Sequence, residues 1–261
     1  MPQSNPKSLY CLLDPASPMA PLSHLCALTV MAKAPRPGRV KTRLSPPLTL
    51  PESARLNVAF LRDTTENLAG IPHSAGLLSY TPVGDEALFD GLLPSTFALI
   101  AQRGEAFGDR LFAAAQDVLT IGYGAVCLID SDSPTVPAAV FRQAVEALRQ
   151  PGDRIVLGPS QDGGYYLIGL KMTHREPFEN ITWSTASVFS QTLQQCHNAG
   201  LEVFILPVWY DVDDAQTLAL LRDELLNDVK PSFTTMAGYS ARHTRSILLQ
   251  MDSSGIPVTE S

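Results

Sequence analysis

Residues 125–129, Ala-Val-Cys-Leu-Ile, are apolar at every position and stop abruptly at Asp130-Ser131-Asp132. A strand with one face in water alternates apolar and polar residues. One without alternation is buried on both faces and needs helices above and below its sheet. That requirement points to layered α/β architectures and away from sheets with a wet face.

The rest of the chain follows the same rule. Leu28 to Ala32 is a second apolar run, followed by a loop rich in Pro and Gly and then by helical spacing of Ala, Leu, Val and Phe from Glu52 to Leu68. Strands are expected at Ala75–Tyr80, Phe97–Ala101, Arg154–Gly158, Tyr165–Leu170 and Glu202–Pro207. Helices are expected at Phe107–Leu119, Ala138–Leu148, Thr185–Ala199 and Asp214–Leu226. Repeating βα units predict a three-layer α/β/α sandwich around a mostly parallel, Rossmann-like sheet, with one tight strand pair across Asp162-Gly163-Gly164 interrupting the alternation. With 261 residues, 45% of them hydrophobic, one large domain fits. Its expected bounds are 26–228, between a loose leader at 1–25, where Met19 offers an alternative start, and a polar tail at 229–261.

Charge and composition narrow the function. A net charge of −7 argues against nucleic acid as a partner. The interrupted N-terminal apolar run suits neither a signal peptide nor a membrane segment. Cys11, Cys26, Cys127 and Cys196 form no C-x-x-C pair, and a reducing cytoplasm is the expected location. None of His24, His73, His174, His197 and His243 has metal-ligand spacing or adjoins a nucleophile elbow, which leaves zinc hydrolysis and a Ser-His-Asp triad unsupported.

Against that acidic background the segment KAPRPGRVKTRL carries Lys33, Arg36, Arg39, Lys41 and Arg43 on a loop bent by Pro35, Pro37 and Gly38. Arg forks and Lys point charges suit a polyphosphate, and Gly38 lets backbone N–H groups approach closely. The loop is neither a Walker A motif nor a G-x-G-x-x-G fingerprint, and on charge count alone it also reads as a solvated basic loop. Asp130 and Asp132 leave the end of an apolar strand two residues apart, so an extended backbone sends both carboxylates to one side, where hard oxygens suit Mg²⁺ or Mn²⁺. The same Asp-Ser-Asp-Ser-Pro string also makes a good turn or helix cap. Asp162-Gly163-Gly164 reads as a hairpin turn that could line a site. Helix capping accounts for Asp213 or Asp214 but less readily for Asp211. Trp183, before Ser184 and Thr185, is either a ring platform beside a helix N-terminus or a core aromatic preceding a cap.

Taken in order, KAPRPGRVKTRL, GEAFGDRL, LIDSDSPTVP, GPSQDGGYYLIGL, ITWST and YDVDD resemble a bacterial family of glycosyltransferase-like proteins with the GT-A nucleotide-diphospho-sugar transferase fold, over about residues 28 to 225. That family is associated with radical-SAM or selenodomain proteins and with arsenosugar biosynthesis. It is related to 2-phospho-lactate guanylyltransferases and molybdenum-cofactor nucleotidyltransferases. The resemblance implies that Lys33, Gly38, Lys41 and Arg43, with Arg36 and Thr42 of the same loop, hold the nucleotide phosphates. It implies that Asp132, with Asp130, binds the metal, that Asp132 and Lys41 stand at the reaction centre, and that Asp162, Gly163 and Gly164 line the acceptor side. Family members often carry Gly or another small residue at position 130 and Cys at position 133, which makes Asp132 the firmer metal ligand.

The expected activity is Mg²⁺-dependent glycosyl transfer from a nucleotide sugar to a small-molecule acceptor. The alternatives are nucleotidyl transfer from an NTP to a phosphorylated small molecule, with release of pyrophosphate, and nucleotide binding without catalysis.

Overall fold

A computed structural model describes residues 8–17 and 22–253. Its centre is an eight-stranded sheet built from β1 (Cys11–Leu13), β2 (Leu22–Lys33), β3 (Ser74–Thr81), β4 (Ala98–Ala101), β5 (Tyr123–Ile129), β6 (Arg154–Pro159), β7 (Tyr165–Leu170) and β8 (Glu202–Ile205). The strand order is β1-β4-β3-β2-β5-β7-β6-β8. Only β7 runs against its neighbours, pairing antiparallel with both β5 and β6, and every other pairing is parallel.

The apolar runs are split residue by residue between two cores. Ala125, Cys127 and Ile129 of β5 face a core shared with α1 (Leu50–Ala69), α3 (Ala138–Arg149), α5 (Ala215–Asn227) and α6 (Arg242–Ser253). Val126 and Leu128 face the other, filled by α2 (Phe107–Ile121) and by Cys196 of α4 (Val188–Asn198). Burial on both faces is the physical reason for the unbroken Ala-Val-Cys-Leu-Ile run, and the expected sandwich stands.

Local chemistry sets the ends of the elements. Thr49 and Glu52 form a reciprocal capping box at the start of α1, and Asp214 accepts the Thr217 N–H to begin α5. Between β6 and β7, the Asp162 carboxylate accepts the Gly164 N–H at 2.8 Å while Gly163 adopts φ +89°, a turn that favours glycine.

The fold extends beyond residues 26–228 on both sides. Cys11–Leu13, within the expected leader, pairs with β4. Tyr10 is buried beside it, its hydroxyl donating to Leu93 O at 2.8 Å and accepting from Leu93 N at 2.9 Å. Met19 lies outside the described residues. In the expected tail, α6 buries Thr244, Leu248 and Met251 at helical spacing. Asp63 of α1 accepts the N–H groups of His243 at 3.0 Å and Thr244 at 2.7 Å, so a buried carboxylate far upstream caps this last helix.

Asp63→Ala is therefore expected to lower the unfolding free energy by about 1–2 kcal/mol in a denaturant titration. An unchanged midpoint would show that α6 does not depend on this cap.

Candidate functional site

The site lies beyond the carboxyl ends of β2 and β5, the edge at which parallel α/β sheets receive ligands. From β2 the chain turns through two short backbone bonds, Arg36 N to Ala34 O at 2.8 Å and Arg39 N to Arg36 O at 3.0 Å. Buried Val40 and Leu44 then pin the loop to the core. Lys41 between them adopts φ 48° and turns its side chain inward, where only 4% of it is exposed. Its Nζ donates to Val212 O at 2.7 Å and Asp213 Oδ1 at 2.7 Å, and lies 3.0 Å from Asp132 Oδ2. Burial alone would push the ammonium pKa down, but the Asp132 and Asp213 carboxylates outweigh it and hold the pKa above that of a free lysine.

The acidic half comes from two loops. Asp130 Oδ2 accepts the Ser133 hydroxyl at 2.8 Å, and Asp130 Oδ1 accepts the Asp132 N–H at 3.3 Å. Asp132 Oδ1 accepts the Ser131 hydroxyl at 3.0 Å, and Asp132 O accepts the Val212 N–H at 3.0 Å, which locks the β5 loop to the segment before α5. On that segment Asp211 Oδ1 accepts the Ser160 hydroxyl at 2.8 Å. Burial, and then the charges of Asp132 and Asp211, drive the Asp130 pKa well above the ordinary carboxylate range. Burial, and then Asp162, push Asp211 up to about 6.

The structure thus brings together Lys41, Asp130 and Asp132, with Asp162 close enough for its charge to act on Asp211. Arg43 stands at the margin, mostly exposed and 3.9 Å from Asp213. The other expected phosphate ligands are not gathered around Lys41. Arg36 is held in a two-point pair with Asp85 at 2.5 and 2.8 Å, so the five cations do not form one cradle. Lys33 and Thr42 are exposed, and Gly38, at φ 74°, serves the turn. Gly163 and Gly164 act through backbone geometry. A Cβ on Gly163 would lie 2.2 Å from Ala186 O, and the Gly164 N–H is taken by Asp162. Asp211 and Asp213 were absent from the expected site. The sequence signal for Asp211 is that capping accounts for it less readily, and of the two candidate caps Asp214 caps α5 while Asp213 pairs with Lys41.

Carboxylate oxygens are hard ligands of the kind that suits a divalent cation. Asp132 and Asp213 share the Lys41 ammonium, and Asp130 feels the like charges of Asp132 and Asp211. Among the described residues, the group of three ligating side chains whose atoms all lie within 4.8 Å of one another is Asp63, Glu66 and His243, and the carboxylates around Lys41 are spread more widely. The Asp63 and Glu66 carboxylates are engaged by the N-terminus of α6 and by Arg242.

Comparison with known proteins follows the same lines. The family described as "Uncharacterized protein conserved in bacteria (DUF2064)" matches residues 64–185. A crystal structure from Desulfovibrio desulfuricans, provisionally named a nucleotide-diphospho-sugar transferase, is 30% identical, covers 87% of this chain and 95% of its own, and superposes with a TM-score of 0.74. CMP:2-keto-3-deoxy-manno-octonic acid synthetase complexed with CTP shares the fold at 13% identity, with coverage of 78% and 100% and a TM-score of 0.50. No curated protein sequence matches the chain. Among the described residues no helix is long and apolar enough to cross a membrane.

Because the folded pKa of Asp211 is raised, its favourable contribution is complete below about pH 4 and is lost as pH rises through about 6, a change of at most roughly 3 kcal/mol. Asp211→Asn is expected to raise the melting temperature of the metal-free protein at pH 7.5 and to flatten its decline between pH 4 and 7. A variant less stable than the parent at pH 7.5 would contradict this electrostatic account.

Proposed function

This chain belongs to the same family as the Desulfovibrio desulfuricans protein, and from that premise we propose that it is a Mg²⁺- or Mn²⁺-dependent, nucleotide-using transferase. We assign it glycosyl transfer from a nucleotide-diphospho-sugar to a small-molecule acceptor. The observation that carries the proposal is the meeting of a buried lysine ammonium with two carboxylates, Asp132 after β5 and Asp213 ahead of α5, beyond the carboxyl ends of the adjacent parallel strands β2 and β5.

In this reading Asp132 and Asp130 hold the metal, which would supply positive charge against the diphosphate as the leaving group gains negative charge. Lys41 remains cationic at physiological pH, because its carboxylate partners hold its pKa up. With its three N–H donors directed at Val212 O, Asp213 and Asp132, it would act on a bound diphosphate as a fixed positive charge rather than as a hydrogen-bond donor. Arg43, exposed at the rim, adds a donor fork. Asp211, joined to Ser160 and pushed up to about 6, is deprotonated at neutral pH and suited to take the proton of an acceptor hydroxyl at its free oxygen.

Nucleotidyl transfer would use the same parts, with pyrophosphate leaving beside Lys41. What favours it is the position of that lysine, on the loop directly after the central strand β2. The two reactions differ in product, since glycosyl transfer releases a nucleoside diphosphate and nucleotidyl transfer releases pyrophosphate.

The protein is expected to show Mg²⁺-dependent thermal stabilisation by nucleotide sugars, followed by nucleoside diphosphate release once an acceptor is supplied. Asp132→Ala is expected to abolish that stabilisation while keeping the fold, because Lys41 retains Asp213 and Val212 O. Undiminished metal-dependent stabilisation in Asp132→Ala would refute the assignment. Stabilisation by NTPs alone, with pyrophosphate released, would transfer it to nucleotidyl transfer.

A further inference from the structure

The two tryptophans are placed very differently. Trp209 is fully buried and donates to Thr135 Oγ1 at 3.0 Å, an ordinary core indole. Trp183 is only partly buried, and among the described residues its ring N–H has no hydrogen-bond partner. It packs edge-to-face on Phe107, with centroids 5.0 Å apart at 79°, and on Tyr165, 6.4 Å apart at 76°. Phe107 itself is 47% exposed at the first position of α2. The indole is accommodated because residue 108 lacks a side chain, as a Cβ there would lie 2.8 Å from Trp183 Nε1.

This aromatic group is joined to the acidic site by backbone on two sides. Tyr166, next to Tyr165, receives the Asp130 N–H at 3.0 Å. The segment that follows Trp183 is seated on the Asp162 turn, with Phe189 N donating to Gly163 O at 2.8 Å. In that turn Ser160 bonds both Gly164 O and the Asp211 carboxylate. The nearby cations are engaged elsewhere. Arg175 pairs with Asp109 and Glu179, and Arg110 donates to Glu105 O while covering part of Phe107. A phosphorylated or carboxylated acceptor lying on these rings would face the charges of Asp162 and Asp211, while Arg110 and Arg175, the cations beside the rings, are already engaged. A neutral ring would present its C–H face to the electron-rich aromatic faces and its hydroxyls to those carboxylates.

We infer that Phe107 and Trp183, with Asp162, form the acceptor subsite, and that it takes a neutral hydroxylated ring such as a pyranose. The inference rests on the transferase reading above. It also favours glycosyl transfer, since nucleotidyl transfer to a phosphate needs an anionic acceptor.

The test uses saturation-transfer NMR on the full chain with Mg²⁺ and UDP, GDP or CDP present. Methyl glycosides of glucose, galactose and mannose are compared with the corresponding 6-phosphates, and nucleotide-induced thermal stabilisation is recorded on the same samples. At least one neutral glycoside is expected to bind at least ten-fold more tightly than its phosphate. Trp183→Ala and the more conservative surface change Phe107→Ala are each expected to weaken it at least ten-fold without altering the nucleotide-induced shift. Absence of glycoside binding, preference for the phosphates, or undiminished affinity in Phe107→Ala would overturn the subsite. The nucleotide shift separates that outcome from failure of the transferase reading, which predicts the shift with or without an acceptor.

Discussion

One ammonium group holds the site together. Lys41 Nζ bridges Asp132, at the end of the central strand β5, and Asp213, ahead of α5, and bonds Val212 O between them. Three segments far apart in sequence are thereby fixed at one edge of the sheet, and the Val212 N–H on Asp132 O closes the arrangement from the other side. A lysine buried this deeply keeps its charge because two carboxylates face it, and removing the lysine would leave both of them without their counter-charge. The pair supports the loop conformation, and in the proposed transferase reading it also fixes a positive charge near the arriving anion.

The acidic side has the opposite balance. Asp130 and Asp211 are partly buried close to like charges, and both are harder to ionise than ordinary carboxylates. Such groups weaken a fold at neutral pH unless a ligand relieves them, the usual cost of preorganised sites. The two cores tolerate that cost. Strands β2 to β7 bury side chains in both cores, while the edge strands β1 and β8 hold no buried residue.

Legibility of the sequence followed the range of the interactions. The runs that became β2, β3, β5, β6 and β7 are buried by their own composition, so their pattern sufficed, and Asp130 and Asp132 were found because they end such a run. Strand β1 has three residues and exists through its pairing with β4, while α6 is sparsely apolar and depends on Asp63 about 180 residues upstream. Neither signal is local. In the basic loop five cations look equivalent in sequence, and only the backbone separates them. The left-handed conformation at Lys41 turns it inward, whereas Arg36 finds Asp85 across the loop. Asp213 is disguised by a helix-capping string in which Asp214 is the cap, whereas Asp211 stands out as the member that capping does not explain.

The central claim is that the carboxylates around Asp132 receive a divalent cation together with nucleotide phosphates beside Lys41. Its most direct test is an anomalous difference map from crystals soaked with Mn²⁺ and a nucleoside diphosphate. The account predicts a peak bonded to Asp132 and Asp130, with diphosphate oxygens on the metal and on the side of the site where Lys41 lies. Nucleotide bound elsewhere, or manganese found only at Asp63, Glu66 and His243, would contradict it.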